Sequence, residues 1–346
     1  MIAVVIANVE ERALSGMLRH SQVTRWTRNQ LMTAPVYVYR GDALARYGFG
    51  DTHPFGCDRH AAFHAHLARV VGNHERICLR TPVAATEEQL LLFHDADYVE
   101  RVKRQSELGE GYLDGGDTPA VPGIYEAALT VVGSTLDAVD QVMAGATSRA
   151  FVPIAGLHHA ARNGAAGFCV FNDLGVAIEH LKSRYGLNRV GYVDIDAHHG
   201  DGVYYGFEDD PAVVFADIHE DGRYLYPGTG HAEDVGTGAG RHLKLNLPLP
   251  PGAGDAAFDD AWTAVEALLE RTQPEFLLLQ CGADSVAGDP LTHLQLTEAS
   301  HAKAAERLCA FADRFCEGRI VATGGGGYNR DNLARAWVRV VQAMSH

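Results

Sequence analysis

Asp196-Ala197-His198 and Asp284 are the residues of this chain best suited to metal chemistry. The Asp-x-His pair closes an apolar run, Val190 to Asp196, and Asp284 closes another, Phe276 to Asp284. Two carboxylates and one imidazole at the carboxyl ends of buried strands would make a three-donor site with open coordination positions. Metal-assisted hydrolysis needs such a site. Asp194 and Asp201 crowd the same strand end, and buried carboxylates are tolerated only beside cations or histidines. Period-two alternation puts Asp194, Asp196 and His198 on one side if the chain stays extended.

Three other constellations could take part. His158-His159 follows the run Ala150–Ile154; such a pair is either a hydrogen-bonded structural element or, beside a metal, a proton-handling one. Gly324-Gly325-Gly326-Gly327 lets the backbone approach a ligand closely and carries Tyr328, whose hydroxyl could serve an oxyanion. The same glycines lack the Lys and Ser/Thr of a phosphate-cradling loop. Gly115-Gly116-Asp117-Thr118-Pro119 reads by itself as a turn, and Asp284 by itself could equally be a helix N-cap.

The elements that must position these residues alternate along the chain. Strand candidates are a short run from Val36 to Tyr39, then 149–154, 189–195, 212–218, 243–247, 275–281 and 319–323. Helical patterns cover about 58–71, 96–107, 122–144, 173–185, 256–271, 296–315 and 330–344. Several strands are apolar throughout, as a parallel sheet covered on both faces requires. The expectation is an α/β fold, a single domain over residues 32–346, with a central mostly parallel sheet flanked by helices and loops at the strands' carboxyl ends carrying function. Residues 1–31, polar and basic, read as an N-terminal extension.

Composition narrows the partners. The net charge of −15 disfavours binding to a nucleic-acid backbone, and it steers cationic substrates only weakly. Six cysteines without a CxxC pair point to free thiols in a reducing compartment. No apolar run approaches the ~20 residues of a membrane span. Met1–Val9 lacks the basic flank of a secretory signal. The chain reads as cytoplasmic, with neither nucleic acid nor membrane as partner and self-association left open.

In this order the motifs resemble the zinc-dependent histone deacetylase family, which includes acetoin-utilisation-type proteins and histone deacetylase-like amidohydrolases. The resemblance runs from about Val36 to Trp337. It rests on His53-Pro54-Phe55 with Arg59, Gly116-Asp117-Thr118-Pro119, Gly156-Leu157-His158-His159 and Gly167-Phe168-Cys169 through Asp173. Val193 through Gly202, Tyr226-Pro227-Gly228-Thr229-Gly230, Gly282-Ala283-Asp284-Ser285 and Gly324 through Asn329 complete it. The family's fold is the arginase/deacetylase type.

The resemblance implies that Asp196, His198 and Asp284 hold Zn²⁺, a donor set that also accommodates Fe²⁺ or Co²⁺. It implies that Asp194 orients His158, that Asp201 orients His159, and that Tyr328 donates to the oxyanion. Phe168 and Tyr226 would wall a tunnel, Gly167 would allow a close approach, and Asp117 would hold the substrate backbone. Arg59 would line an inner channel through which acetate leaves. A monovalent cation, K⁺, would be bound by Asp194 with backbone oxygens of Asp196 and His198, beside Asp217 and Ile218. Many members have Ser where this chain has Asp217, which alters the charge balance there. Leu291 stands where polyamine-selective relatives place an acidic residue.

The expected activity is zinc-dependent hydrolysis of an N-acyl amide, foremost deacetylation of acetyl-lysine in proteins or peptides. The alternatives are a small acetylated amine such as an acetylpolyamine, and a catalytically silent ligand-binding module.

Overall fold

The computed structural model describes residues 34–50, 52–72 and 75–346. The extension expected over residues 1–31 lies outside them. Its centre is one eight-stranded sheet, entirely parallel, in the order β2-β1-β3-β8-β7-β4-β5-β6. The strands are β1 (Val36–Tyr39), β2 (Ile77–Arg80), β3 (Arg149–Val152), β4 (Val190–Asp194), β5 (Val213–Glu220), β6 (Lys244–Leu249), β7 (Phe276–Gln280) and β8 (Ile320–Thr323). Every residue of β3, β8, β7, β4 and β5 is buried, which is why these strands read as mostly apolar instead of alternating, with their polar residues gathered toward the strand ends.

Helices cover the sheet. They are α1 (Asp42–Ala45), α2 (Asp58–Val71), α3 (Glu87–Leu90), α4 (Ala96–Leu108), α5 (Ile124–Met143), α6 (Asp173–Tyr185), α7 (Asp201–Gly206), α8 (Asp255–Thr272), α9 (Glu298–Phe315) and α10 (Arg330–Met344). α5 packs on α6, while α9 packs on α10 and α10 on α2. Trp337 of α10 is fully buried, and its indole N–H donates to the Cys281 carbonyl (3.0 Å), which ties that helix to the chain just past β7.

The long helices and central strands lie where the sequence places them, apart from shifts of a residue or two. The strand ends differ in a way that matters. The runs expected to extend to Asp196 and Asp284 stop as strands at Asp194 and Gln280. At each end the last strand residue turns its side chain onto the N–H two residues on: Asp194 Oδ1 accepts from Asp196 (3.0 Å) and Gln280 Oε1 accepts from Gly282 (2.6 Å). Such local bonds replace the next ladder bond and release the chain into a loop. The chain therefore does not stay extended, and Asp194 parts company with Asp196 and His198. Asp284 heads no helix; the N-cap alternative falls because the next helix begins at Glu298.

Asn172 caps α6 and anchors the loop that carries the adjacent histidines. Its Oδ1 accepts from Gly175 N–H (2.9 Å), and its amide donates to the carbonyls of Ala160 (2.9 Å) and His158 (3.3 Å). Asn172→Ala removes the cap and the side-chain donor of the Ala160 carbonyl, while the His158 carbonyl keeps the Val203 N–H (3.2 Å), so a loss of about 2–3 kcal/mol in unfolding free energy is expected, measurable by chemical denaturation. Among the described residues no helix is long and apolar enough to cross a membrane.

Candidate metal centre

The loops that leave five adjacent strands, β3, β8, β7, β4 and β5, converge at one edge of the sheet. After β4 come Asp196 and His198, and after β7 comes Asp284. Donor atoms of these three buried residues lie within 4.8 Å of one another. His198 Nδ1 is 3.1 Å from Asp196 Oδ1 and 3.1 Å from Asp284 Oδ2. The carboxylates are fixed from behind. Asp196 Oδ2 accepts from Gln280 Nε2 and from Gly326 N–H (2.8 Å each), and Asp284 Oδ1 accepts from Ala197 N–H (2.9 Å).

The electrostatics call for a cation. Burial and then the charge on Asp196 push Asp284 up to about 7. Burial alone would raise Asp196 too, but His158 and His198 hold it well below the carboxylate range. His198 resists burial and rises to about 10 because both carboxylates face it. Two carboxylates and an imidazole are thus packed together out of water where a divalent ion would satisfy both carboxylates and take the imidazole nitrogen. Two oxygens and one nitrogen with room left over fit such an ion.

Two glycines make the approach possible. A Cβ on Gly282 would lie 2.0 Å from Asp196 Oδ2, and one on Gly326 would lie 2.1 Å from Asp284 Oδ2. Gly326→Ala is therefore expected to weaken metal binding by at least ~10-fold, the scale of a disturbed supporting shell, as read by metal titration of the folded variant.

Beside this cluster stand the adjacent histidines, each with its own carboxylate. His158 Nδ1 is 2.8 Å from Asp194 Oδ2, and His159 Nδ1 is 2.6 Å from Asp201 Oδ1. Those bonds turn both Nε2 atoms to the same space, 3.1 Å apart. The two rings differ in charge preference. Against burial, Asp194 and Asp196 lift His158 to about 10, whereas burial and the neighbouring His158 lower His159. Asp194 also accepts the hydroxyl of Tyr192. Asp173 receives the N–H groups of Gly156 and Leu157, which sets the backbone just before the pair.

The four-glycine loop after β8 brings Tyr328 to the same cavity, which His158, His159, Asp196 and His198 also line. Such a loop cannot fix a side chain by itself, and the neighbours do it. Asp289 Oδ2 accepts from Tyr328 N–H (2.8 Å), Arg59 donates to the carbonyls of Gly327 (2.9 Å) and Gly325 (2.6 Å), and Arg330 donates to the Tyr328 carbonyl (3.0 Å). Arg59 is fully buried, with its guanidinium 3.9 Å from the Phe55 ring centroid. Burial, then Asp284 and Asp196, push the Tyr328 hydroxyl well above its usual range, so it keeps its proton.

Toward solvent, the Tyr226 ring lies 5.2 Å from His159 and the Phe168 ring 5.8 Å from Tyr328. Gly167 sits between them; a Cβ there would meet the His159 ring at 2.5 Å and Tyr226 at 3.0 Å. Asp117 is exposed at the end of a turn in which Asp114 Oδ1 accepts three successive N–H groups, and its carbonyl lies 3.1 Å from His53 Nε2. Leu291 is 37% exposed, and its N–H is held by Asp289 Oδ1 (3.0 Å).

Asp217 pairs in register with Asp194 across β4 and β5, both fully buried. Its carboxylate accepts from Gly200 N–H (2.8 Å) and faces His219 Nδ1 (2.8 Å). Burial opposes a charge on His219, but Asp217 raises its pKa. The extra carboxylate thus carries its own imidazole partner, whose second ring nitrogen lies 2.9 Å from the Gly230 carbonyl. Ile218, next on β5, is buried.

Gln280, Asp289, Tyr192 and Asp173 support the site, a role the sequence reading assigned to none of them. Gln280 left a signal: it is the one polar residue in the run Phe276–Gln280, and a polar side chain buried there needs partners.

Residues 53–344 match the sequence profile of the histone deacetylase domain. The acetoin utilization protein AcuC of Bacillus subtilis (strain 168) is 38% identical over 318 residues, covering 89% of this chain and 81% of its own. A histone deacetylase-like amidohydrolase of Pseudomonas aeruginosa is 37% identical over 284 residues, covering 81% and 73%. Among solved structures, the HDA15 HD domain superposes with a TM-score of 0.83 at 26% identity, covering 90% of each chain.

Proposed function

The chain belongs to the histone deacetylase domain family, and on that premise we propose that it hydrolyses the acetamide of acetyl-lysine in peptides or proteins, with Zn²⁺ held by Asp196, His198 and Asp284. One observation carries the reading: two carboxylate-backed histidines and a tyrosine share a cavity with the three-donor cluster. A zinc ion held there supplies Lewis-acid polarisation of the amide carbonyl and lowers the pKa of water; Fe²⁺ or Co²⁺ would suit the same donors.

The remaining work falls to side chains. His159, oriented by Asp201, takes the proton of the attacking water at Nε2 and returns it to the departing amine nitrogen. His158, backed by Asp194, keeps positive charge beside the developing oxyanion. The Tyr328 hydroxyl donates to that oxyanion. Phe168 and Tyr226 flank the lysine methylenes with Gly167 between them, Asp117 accepts from the substrate backbone, and Arg59 lines the exit of acetate. Asp194, with backbone oxygens of Asp196 and His198, would hold K⁺ beside Asp217 and Ile218.

A small acetylated amine is the second reading. The net charge of −15 and the Asp114–Asp117 turn near Tyr226 favour a cationic substrate; the apolar Leu291 counts against it. Zinc-loaded protein assayed on an acetyl-lysine peptide and on N-acetylspermidine decides between them by kcat/KM, a preference of about tenfold or more being a clear assignment. Stoichiometric metal with turnover of neither substrate would leave a ligand-binding module.

A further inference from the structure

Phe168 occupies a backbone conformation that is strained for a bulky residue. Ala166 and Cys169 exchange both backbone hydrogen bonds (3.2 and 2.8 Å), so residues 166–169 form a two-residue hairpin. Both central residues have positive φ, 52° at Gly167 and 68° at Phe168. That is the pattern of a type I′ turn, whose corners favour Gly and Asn because a Cβ crowds the adjoining carbonyl. Gly167 suits its corner; Phe168 does not, and something else must keep it there.

Its polar groups are held by side chains from two other parts of the chain. The Phe168 N–H donates to Thr118 Oγ1 (3.0 Å), and the Phe168 carbonyl accepts from the Tyr47 hydroxyl (2.7 Å). The same hydroxyl accepts from Val170 N–H (3.0 Å), so Tyr47 grips both sides of the turn's exit. Tyr47 and Thr118 are both fully buried. Tyr47 is wedged edge-on against Phe49 and Phe55, at 5.8 and 5.4 Å between ring centroids. The Thr118 hydroxyl donates in turn to Asp117 Oδ1 (3.1 Å).

We propose that Tyr47 and Thr118 are positioning residues that hold Phe168 in its left-handed conformation and thereby set the width of the substrate channel without touching substrate. The inference rests on the reading of Phe168 as a channel wall. Clamped in this way, the Phe168 ring stands 4.6 Å from His53 and 5.8 Å from Tyr328. Released, the backbone would relax to negative φ and swing the ring away from its place beside His53 and Tyr328. Through Thr118 the wall is also tied to Asp117, so grip on the substrate backbone and grip on its methylenes move together.

Tyr47→Phe removes a single oxygen atom. In metal-loaded protein it should raise KM for an acetyl-lysine peptide about tenfold while kcat changes less than about twofold, the split expected when binding is lost and chemistry is not. The Kd of a linear alkyl hydroxamate should rise by the same factor. In a Phe168→Gly background positive φ is unstrained, so adding Tyr47→Phe should move neither KM nor Kd further. Thr118→Val should show the same split and stands in if Tyr47→Phe does not fold. Unchanged KM and Kd in the single variants, or equal effects in both backgrounds, would overturn the inference. Hydroxamate binding needs no turnover, so a parent chain that binds it but leaves acetylated amines intact counts against the proposed activity alone.

Discussion

Asp284→Ala is expected to abolish stoichiometric metal binding and hydrolysis together. Asp284 supplies one of three donors, and its other oxygen fixes the Ala197 N–H between the remaining two. The substitution therefore deletes a ligand and loosens the geometry of its partners. Metal affinity should drop by well over ~10²-fold, beyond the 10–100-fold typical of losses in the supporting shell. Elemental analysis after dialysis, run beside a peptide assay, reads both effects at once. The metal-free variant should melt close to the metal-free parent, because a buried carboxylate that Asp196 repels has been removed. Full zinc content in the variant would refute the ligand assignment.

Tyr328→Phe should lower kcat by ~10²–10³-fold, the scale for one oxyanion donor, and leave KM and metal content near those of the parent. The effect is confined to the hydroxyl. The phenyl ring keeps its edge contact with Phe168, and the bonds that hold this residue's backbone, from Asp289 and Arg330, do not involve the side chain. Turnover near the parent's level would remove Tyr328 from the chemistry and leave the metal and His158 to stabilise the oxyanion without it.

Much of this arrangement was legible in the amino-acid order because burial leaves a composition mark. The runs around Val190–Val193 and Phe276–Leu279 are apolar on both sides, which announces a covered parallel strand, and ligands at such strand ends follow from the architecture. Where side chains bond back to their own backbone, the pattern misled. Asp194 looks like the first of three groups on one face, yet its bond to the Asp196 N–H ends the strand and sends it to His158 instead. Short pieces were missed for different reasons. β2 is an edge strand of only four residues, none of them fully buried. α3 is equally short, although its Thr86–Gln89 capping box could have marked it. Asp289 received no role from the sequence because its three partners are backbone N–H groups, which no side-chain pattern reveals.

The placement of the donors on neighbouring strands has a bearing on how the chain holds together. His198 and Asp284 are 86 residues apart in sequence, yet β4 and β7 lie side by side with Asp194 opposite Gln280. An ion bound by both donors closes that long loop much as a covalent cross-link would, and it binds the native chain alone. The exposed Pro250–Gly252 turn lies inside the loop. A chain nicked there would have its two fragments joined across the sheet by the ion, and they should separate at lower denaturant concentration once a chelator is added.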